Sequence, residues 1–154
     1  MFVKGIVAED FVNYRKPSMF IAFPKCHGFK CGKELCQNSP LALSRDIDVA
    51  YDKIINKYVS NPITKAIVFG GLEPLDTFED VMALVKRFRF LTDDDIVIYT
   101  GFNKDEVLDK VEELKKYPNI IMKYGRFIPN DKSRYDEVLG VDLASQNQYA
   151  ERIS

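Results

Sequence analysis

Four short apolar runs alternate along this chain with stretches whose apolar residues recur at helical spacing, and that order restricts the fold more than any other feature. The runs are Ser18–Phe23 (Ser-Met-Phe-Ile-Ala-Phe), 65–69 (Lys-Ala-Ile-Val-Phe), Asp95–Tyr99 (Asp-Ile-Val-Ile-Tyr) and 120–123 (Ile-Ile-Met-Lys). Each is short and rich in branched or aromatic side chains, as a strand covered on both faces requires. Between them, residues 46–58 carry apolar side chains at 47, 50, 51, 54, 55 and 58. Phe78, Val81, Met82, Val85 and Phe88 form a second stripe, and Val107, Leu108, Val111 and Leu114 a third. Such spacings put the apolar side chains on one face of a helix. Ser44 is the expected N-cap of the first helix, with Asp46 and Asp48 at the positive end of its dipole and Asn61-Pro62 as its stop. Asp76-Thr77-Phe78-Glu79 signals the second helix, and Asn103 with Glu106 the third. Strand and helix in this alternation predict an α/β fold on a mainly parallel sheet.

The 154 residues suit a single domain, 1–154, large enough to fold without disulfide staples. A net charge of −1 offers no electrostatic case for nucleic acid. No apolar run approaches the ~18–20 residues of a membrane span, and Met1-Phe2-Val3-Lys4-Gly5 lacks the apolar core of a signal peptide. The expected setting is therefore the reducing cytoplasm. Residues 125–154 lack strong periodicity and read as a loop-rich segment, in which Ser145, Asn147 and Gln148 are expected to be surface residues.

Ligands of such sheets bind beyond the carboxyl ends of the strands, and the unusual residues of this chain fall there. The first run leads into a cysteine loop, 24–40, the second into Gly70-Gly71-Leu72-Glu73-Pro74, the third into Thr100-Gly101 and the fourth into Gly125-Arg126. The loop holds all three cysteines, Cys26, Cys31 and Cys36. In a reducing compartment, clustered cysteines are more often metal-binding or catalytic than disulfide-bonded. A structural zinc site wants four closed ligands, which His27 would have to complete beside its neighbour Cys26. A simple ferredoxin-like cluster would want a fourth cysteine. An iron–sulfur cube on three cysteines leaves its fourth iron open, and thiols packed as small hydrophobes are a further reading. Gly70 and Gly71 permit close backbone approach to a ligand or simply break the strand. Glu73 offers a carboxylate for a ligand's ammonium group, or is a solvated residue before a helix.

Together these stretches resemble the radical S-adenosylmethionine superfamily. Within it they are most similar to the small activating proteins of anaerobic ribonucleotide (ribonucleoside-triphosphate) reductase. The likeness is carried, in order, by the three-cysteine loop continuing as Gln37-Asn38-Ser39, by Gly70-Gly71-Leu72-Glu73-Pro74-Leu75, by Tyr99-Thr100-Gly101-Phe102, by Gly125-Arg126-Phe127-Ile128 and by Ser145-Gln146-Asn147-Gln148. The chain departs from the family pattern in three places. Four residues separate each pair of cysteines instead of three and then two, Leu72 intervenes between the glycines and the acid, and Gln146 separates Ser145 from Asn147.

The resemblance implies a partial (β/α) barrel. It also implies a [4Fe-4S] cluster on Cys26, Cys31 and Cys36, with the amino and carboxylate groups of S-adenosyl-L-methionine on the fourth iron. Gly71 would give backbone contact to the methionine moiety, Glu73 would help hold its ammonium group, Leu35 and Gln37 would approach the adenosine, and Gly70 and Thr100 are further cofactor contacts. Reductive cleavage would yield a 5′-deoxyadenosyl radical that takes a hydrogen atom from a glycine of a partner enzyme. The implied partners are a glycyl-radical enzyme, anaerobic ribonucleotide reductase first among them, and an electron donor such as flavodoxin or ferredoxin. A radical enzyme with another substrate, and a non-catalytic zinc-binding module on the three cysteines and His27, are the alternatives.

Overall fold

The computed structural model describes residues 1–26 and 38–154. Its centre is a six-stranded sheet built from β2 (Gly5–Asp10), β3 (Ser18–Phe23), β5 (Ala66–Gly71), β6 (Asp95–Tyr99), β7 (Ile120–Tyr124) and β10 (Tyr149–Arg152), in the order β10-β7-β6-β5-β3-β2. The four inner strands are parallel, and β2 and β10 are antiparallel edges. In register, Phe23 lies opposite Gly71, Phe69 opposite Ile98, and Tyr99 opposite Lys123. Two small antiparallel pairs complete the strands: β1 (Phe2–Val3) with β4 (Ile47–Asp48), and β8 (Arg134–Asp136) with β9 (Val141–Leu143). The helices are α1 (Ser39–Leu43), α2 (Tyr51–Val59), α3 (Phe78–Leu91) and α4 (Leu108–Leu114). This is the expected α/β architecture with a mainly parallel sheet. Among the described residues the sheet remains open and does not close into a barrel.

Both faces of the inner strands are buried, which is why their sequences are nearly continuous apolar runs. Successive side chains point to opposite faces. Ile67, Phe69, Ile96, Ile98, Ile120 and Met122 join the helix side of the core with Ile54, Val85, Phe88 and Leu114. Ala66, Val68, Val97 and Ile121 face the other way, against Tyr14, Leu139 and Leu143. The aromatic centre of the helix side is Phe69, with Phe23 at 5.4 Å and Phe88 at 6.5 Å between ring centroids. No helix among the described residues is long and apolar enough to cross a membrane.

Several element boundaries differ from the sequence expectation. α2 starts at Tyr51, capped by Ala50, and not near 46. Ile47 and Asp48 pair with β1 instead, and Asp46 forms an ion pair with Lys4 at 2.9 Å. Ser44, the expected cap, donates its hydroxyl to Leu41 O at 2.7 Å. α3 starts at Phe78 after a tight turn over Pro74–Thr77, and Thr77 caps it without a side-chain bond. The Asn103–Glu106 signal holds: Asn103 N–H donates to Glu106 Oε2 at 2.8 Å, but the turn it closes, Lys104–Glu106, is 3-10 and α4 follows it. Leu108 is exposed, because that turn rotates it off the buried stripe.

The segment after Gly125 is more ordered than its pattern suggested. It contains β8, β9 and the sheet strand β10, with Asp136 buried and accepting Leu139 N–H and Ala150 N–H, both at 2.9 Å. β2 and β10 were not legible as strands because each is a half-exposed edge, β2 with an irregularity between Val7 and Asp10.

Candidate functional site

A cleft of about 670 Å³ runs across the carboxyl ends of the parallel strands. The Phe23–Cys26 exit from β3 forms one side. Leu72 N–H donates to Phe23 O at 3.2 Å, and Glu73 N–H to Lys25 O at 2.7 Å, so the chain after β5 keeps hydrogen bonding to the chain after β3. That continuation brings Cys26, exposed and lining the cleft, alongside the Gly70-Gly71 turn. Cys31, Cys36, Leu35, Gln37 and His27 lie outside the described residues. Where the described chain resumes, Asn38 donates its side-chain amide to Gly71 O at 2.8 Å and lines the cleft with Leu41.

Gly70, Gly71 and Thr100 all line the cleft. The glycines also serve the neighbouring strand. A Cβ on Gly70 would stand 2.7 Å from the Phe20 ring, and one on Gly71 2.7 Å from Phe23 N and 2.8 Å from Ala22 Cα. Gly71 has φ +91°, a conformation that side chains disfavour.

Glu73 is buried and is not among the residues lining the cleft. It works from beneath it: Oε1 accepts Leu75 N–H (3.0 Å) and the Thr100 hydroxyl (2.8 Å), and Oε2 accepts Gly101 N–H (2.8 Å). One carboxylate thus ties the turn after β5 to the turn after β6. Burial pushes its pKa up to about 7, against the lowering effect of those three donors. The Thr100 hydroxyl in turn accepts Phe102 N–H at 3.1 Å.

The far wall is the chain after β7. Gly125, Arg126, Phe127, Ile128 and Pro129 line the cleft there, beside Val141 and Leu143 from β9. Arg126 makes a two-pronged ion pair with Glu106, at 3.0 and 2.8 Å. The tail motif secures this wall. Ser145 and Gln148 are buried, contrary to the surface placement expected of them, while Asn147 is exposed. Asn147 donates its amide to Arg126 O (2.8 Å), Gln148 donates to Gly125 O (3.3 Å), and Ser145 N–H donates to Gln148 Oε1 (3.1 Å). Arg126 and Gly125 lie 21 and 23 residues from the side chains that bond them, so the local pattern around Ser145 carried no sign of these partners.

Sequence reading also passed over Lys123. It is buried, lines the cleft, and its amine is pushed down to about 8 by burial, against the attraction of Glu73. The available signal was a cation inside an otherwise apolar run.

The arrangement joins a thiol, a glycine turn, a hydroxyl and a buried cation around one cleft, an arrangement suited to holding a ligand beside a metal centre. No curated protein and no solved structure matches the chain. Residues 24–149 match the family described as the 4Fe-4S single cluster domain, a span that takes in the cysteine loop, the inner strands β5, β6 and β7 and the tail motif, and the chain belongs to that family.

Proposed function

We propose that this chain is an iron–sulfur radical S-adenosylmethionine enzyme that installs a glycyl radical on a partner enzyme, anaerobic ribonucleotide reductase. The observation that carries the reading is that Cys26 and the Gly70-Gly71 turn line one cleft at the carboxyl ends of parallel strands, in a chain of the 4Fe-4S single cluster family. An exposed thiol at the cleft suits the cluster, since thiolate is the soft donor that iron–sulfur groups take. Cys26, Cys31 and Cys36 would hold three irons and leave the fourth for the cofactor's methionine end. A cluster held there would supply, when reduced, the electron for reductive cleavage of S-adenosyl-L-methionine, the chemistry that would remove a hydrogen atom from the partner's glycine.

The chain's own residues bind and orient. The Gly70-Gly71 backbone faces the methionine moiety, with the Gly71 carbonyl held by Asn38. By the resemblance, Leu35 and Gln37 would approach the adenosine. Glu73 fixes Leu75, Thr100 and Gly101 in one geometry and retains acceptor capacity on Oε2, which takes a single donor. The apolar wall of Phe127, Ile128, Pro129, Val141 and Leu143 shields the reacting end from water on one side, and the open sheet leaves a way in for a partner's glycine loop.

The test is anaerobic reconstitution with iron and sulfide, followed by reduction in the presence of S-adenosyl-L-methionine. Formation of 5′-deoxyadenosine is expected, with a glycyl radical on the reductase when it is added. A fully loaded protein that forms none contradicts the reading, as does a preparation made without oxygen that carries zinc and no iron.

A further inference from the structure

A second cavity, of about 540 Å³, lies at the amino edge of the parallel strands, away from the cleft. Its volume is within the range that small ligands occupy. Four separate segments line it: Tyr14, Arg15 and Lys16 from the link between β2 and β3, Asp95 at the start of β6, Glu137 and Val138 in the turn between β8 and β9, and Arg152 at the end of β10. Asp95 organises this lining. Its side chain is 6% exposed; Oδ2 accepts the Tyr14 hydroxyl at 2.8 Å and Lys16 Nζ at 2.7 Å, and Oδ1 accepts Arg152 Nη2 at 2.9 Å. A buried carboxylate needs such partners, but here one carboxylate holds two cations. Arg15 adds a third. Its guanidinium donates to the Glu137 and Val138 carbonyls and forms no ion pair among the described residues. Three cations thus face two carboxylates, Asp95 and the exposed Glu137.

We infer that this cavity binds a phosphate group, held by Arg15, Lys16 and Arg152. Donors remain for it. An ammonium has three and a guanidinium five. Lys16 spends one on Asp95, and Arg152 spends one on Asp95 and one on Asn119 Oδ1 at 3.5 Å. Both side chains are nearly half exposed, so their other donors are open to a ligand. Asp95 grips the two cations from separate oxygens, which fixes them before a ligand arrives and cuts the ordering cost of binding. Forked guanidinium donors beside a point-charge ammonium match the oxygens of a phosphate, whereas a cationic ligand would meet the surplus positive charge. The cavity and the cleft lie at opposite edges of the sheet. The ligand is therefore a second one, and the inference does not rest on the cofactor reading.

The experiment is calorimetric titration of the full chain, purified without oxygen, in about 0.15 M chloride, where attraction between exposed charges is largely screened. The probes are inorganic phosphate and ribose 5-phosphate, which separate free phosphate from the phosphate of a larger molecule. Saturable binding of either carries the inference, and the tighter probe names the source. Lys16→Gln and Arg15→Gln should each weaken binding about 10–100-fold, the size of a charge-assisted hydrogen bond. Lys16→Arg should bind within a few-fold of wild type, and Lys123→Gln, at the cleft, should bind as wild type does. Melting curves check that each variant is folded. Should Lys16→Gln not fold, Arg15→Gln decides the matter, since its bonds are to exposed carbonyls. Wild-type protein that binds neither probe overturns the inference. Unchanged affinity in Lys16→Gln and Arg15→Gln overturns it as well, as does a loss confined to Lys123→Gln, which would put the phosphate in the cleft.

Discussion

Glu73 shows how one side chain can organise a site from outside its lining. Its three donors come from two separate turns, so the carboxylate sets the spacing between them. Its raised pKa has a consequence for stability. Between the ordinary value of 4.5 and about 7, the folded chain holds a proton that the unfolded chain has released. Stability contributed by this group is therefore full below about pH 4.5 and is lost as pH rises to about 7. Glu73→Gln cannot titrate. Urea unfolding of both proteins at about pH 5 and about pH 8 should show the wild type losing about 2–3 kcal/mol relative to the variant. A difference that stays constant with pH would mean that Glu73 is ionised throughout. Of this role the sequence displayed only an acid after a strand end, since the three N–H and O–H donors are defined by chain geometry and not by spacing.

At the scale of elements, the decisive contact is between β3 and β5. The two glycines that end β5 meet different neighbours. Gly70 faces the far end of the Phe20 ring, which can move, whereas Gly71 faces the backbone of Ala22 and Phe23 at positive φ. Gly71→Ala should therefore destabilise the fold by about 2 kcal/mol more than Gly70→Ala, measured by chemical unfolding. Equal costs would contradict the close approach of the strands. The inner strands were legible as short continuous apolar runs, and the three main helices because a period of 3.6 is written into their apolar positions. The edges β2 and β10 were not, because half-exposed strands carry no clean alternation. Helix starts shifted where tertiary partners intervened, as when Lys4 took Asp46 and β1 took Ile47 and Asp48.

Across the whole molecule, a parallel sheet collects distant segments along one edge. Cys26, Gly71, Thr100, Lys123 and Arg126 are spread over 100 residues, yet all line the same cleft. The sequence allowed that convergence to be anticipated, since each strand-like run ended in an unusual residue. It did not reveal the rear support from Ser145 and Gln148, nor which cation would lie in the floor. Among the described residues the helices cover one face of the sheet and part of the C-terminal segment the other, and the cleft lies at the carboxyl edge between them.

The central claim is that a cluster on three cysteines shares this cleft with S-adenosyl-L-methionine. Electron paramagnetic resonance of the reduced, fully loaded protein, recorded with and without S-adenosyl-L-methionine, tests it most directly. The account predicts a reduced [4Fe-4S] signal whose g-values shift when the cofactor is added, because the open iron gains its amino and carboxylate ligands. A cluster signal that the cofactor leaves unchanged would contradict it.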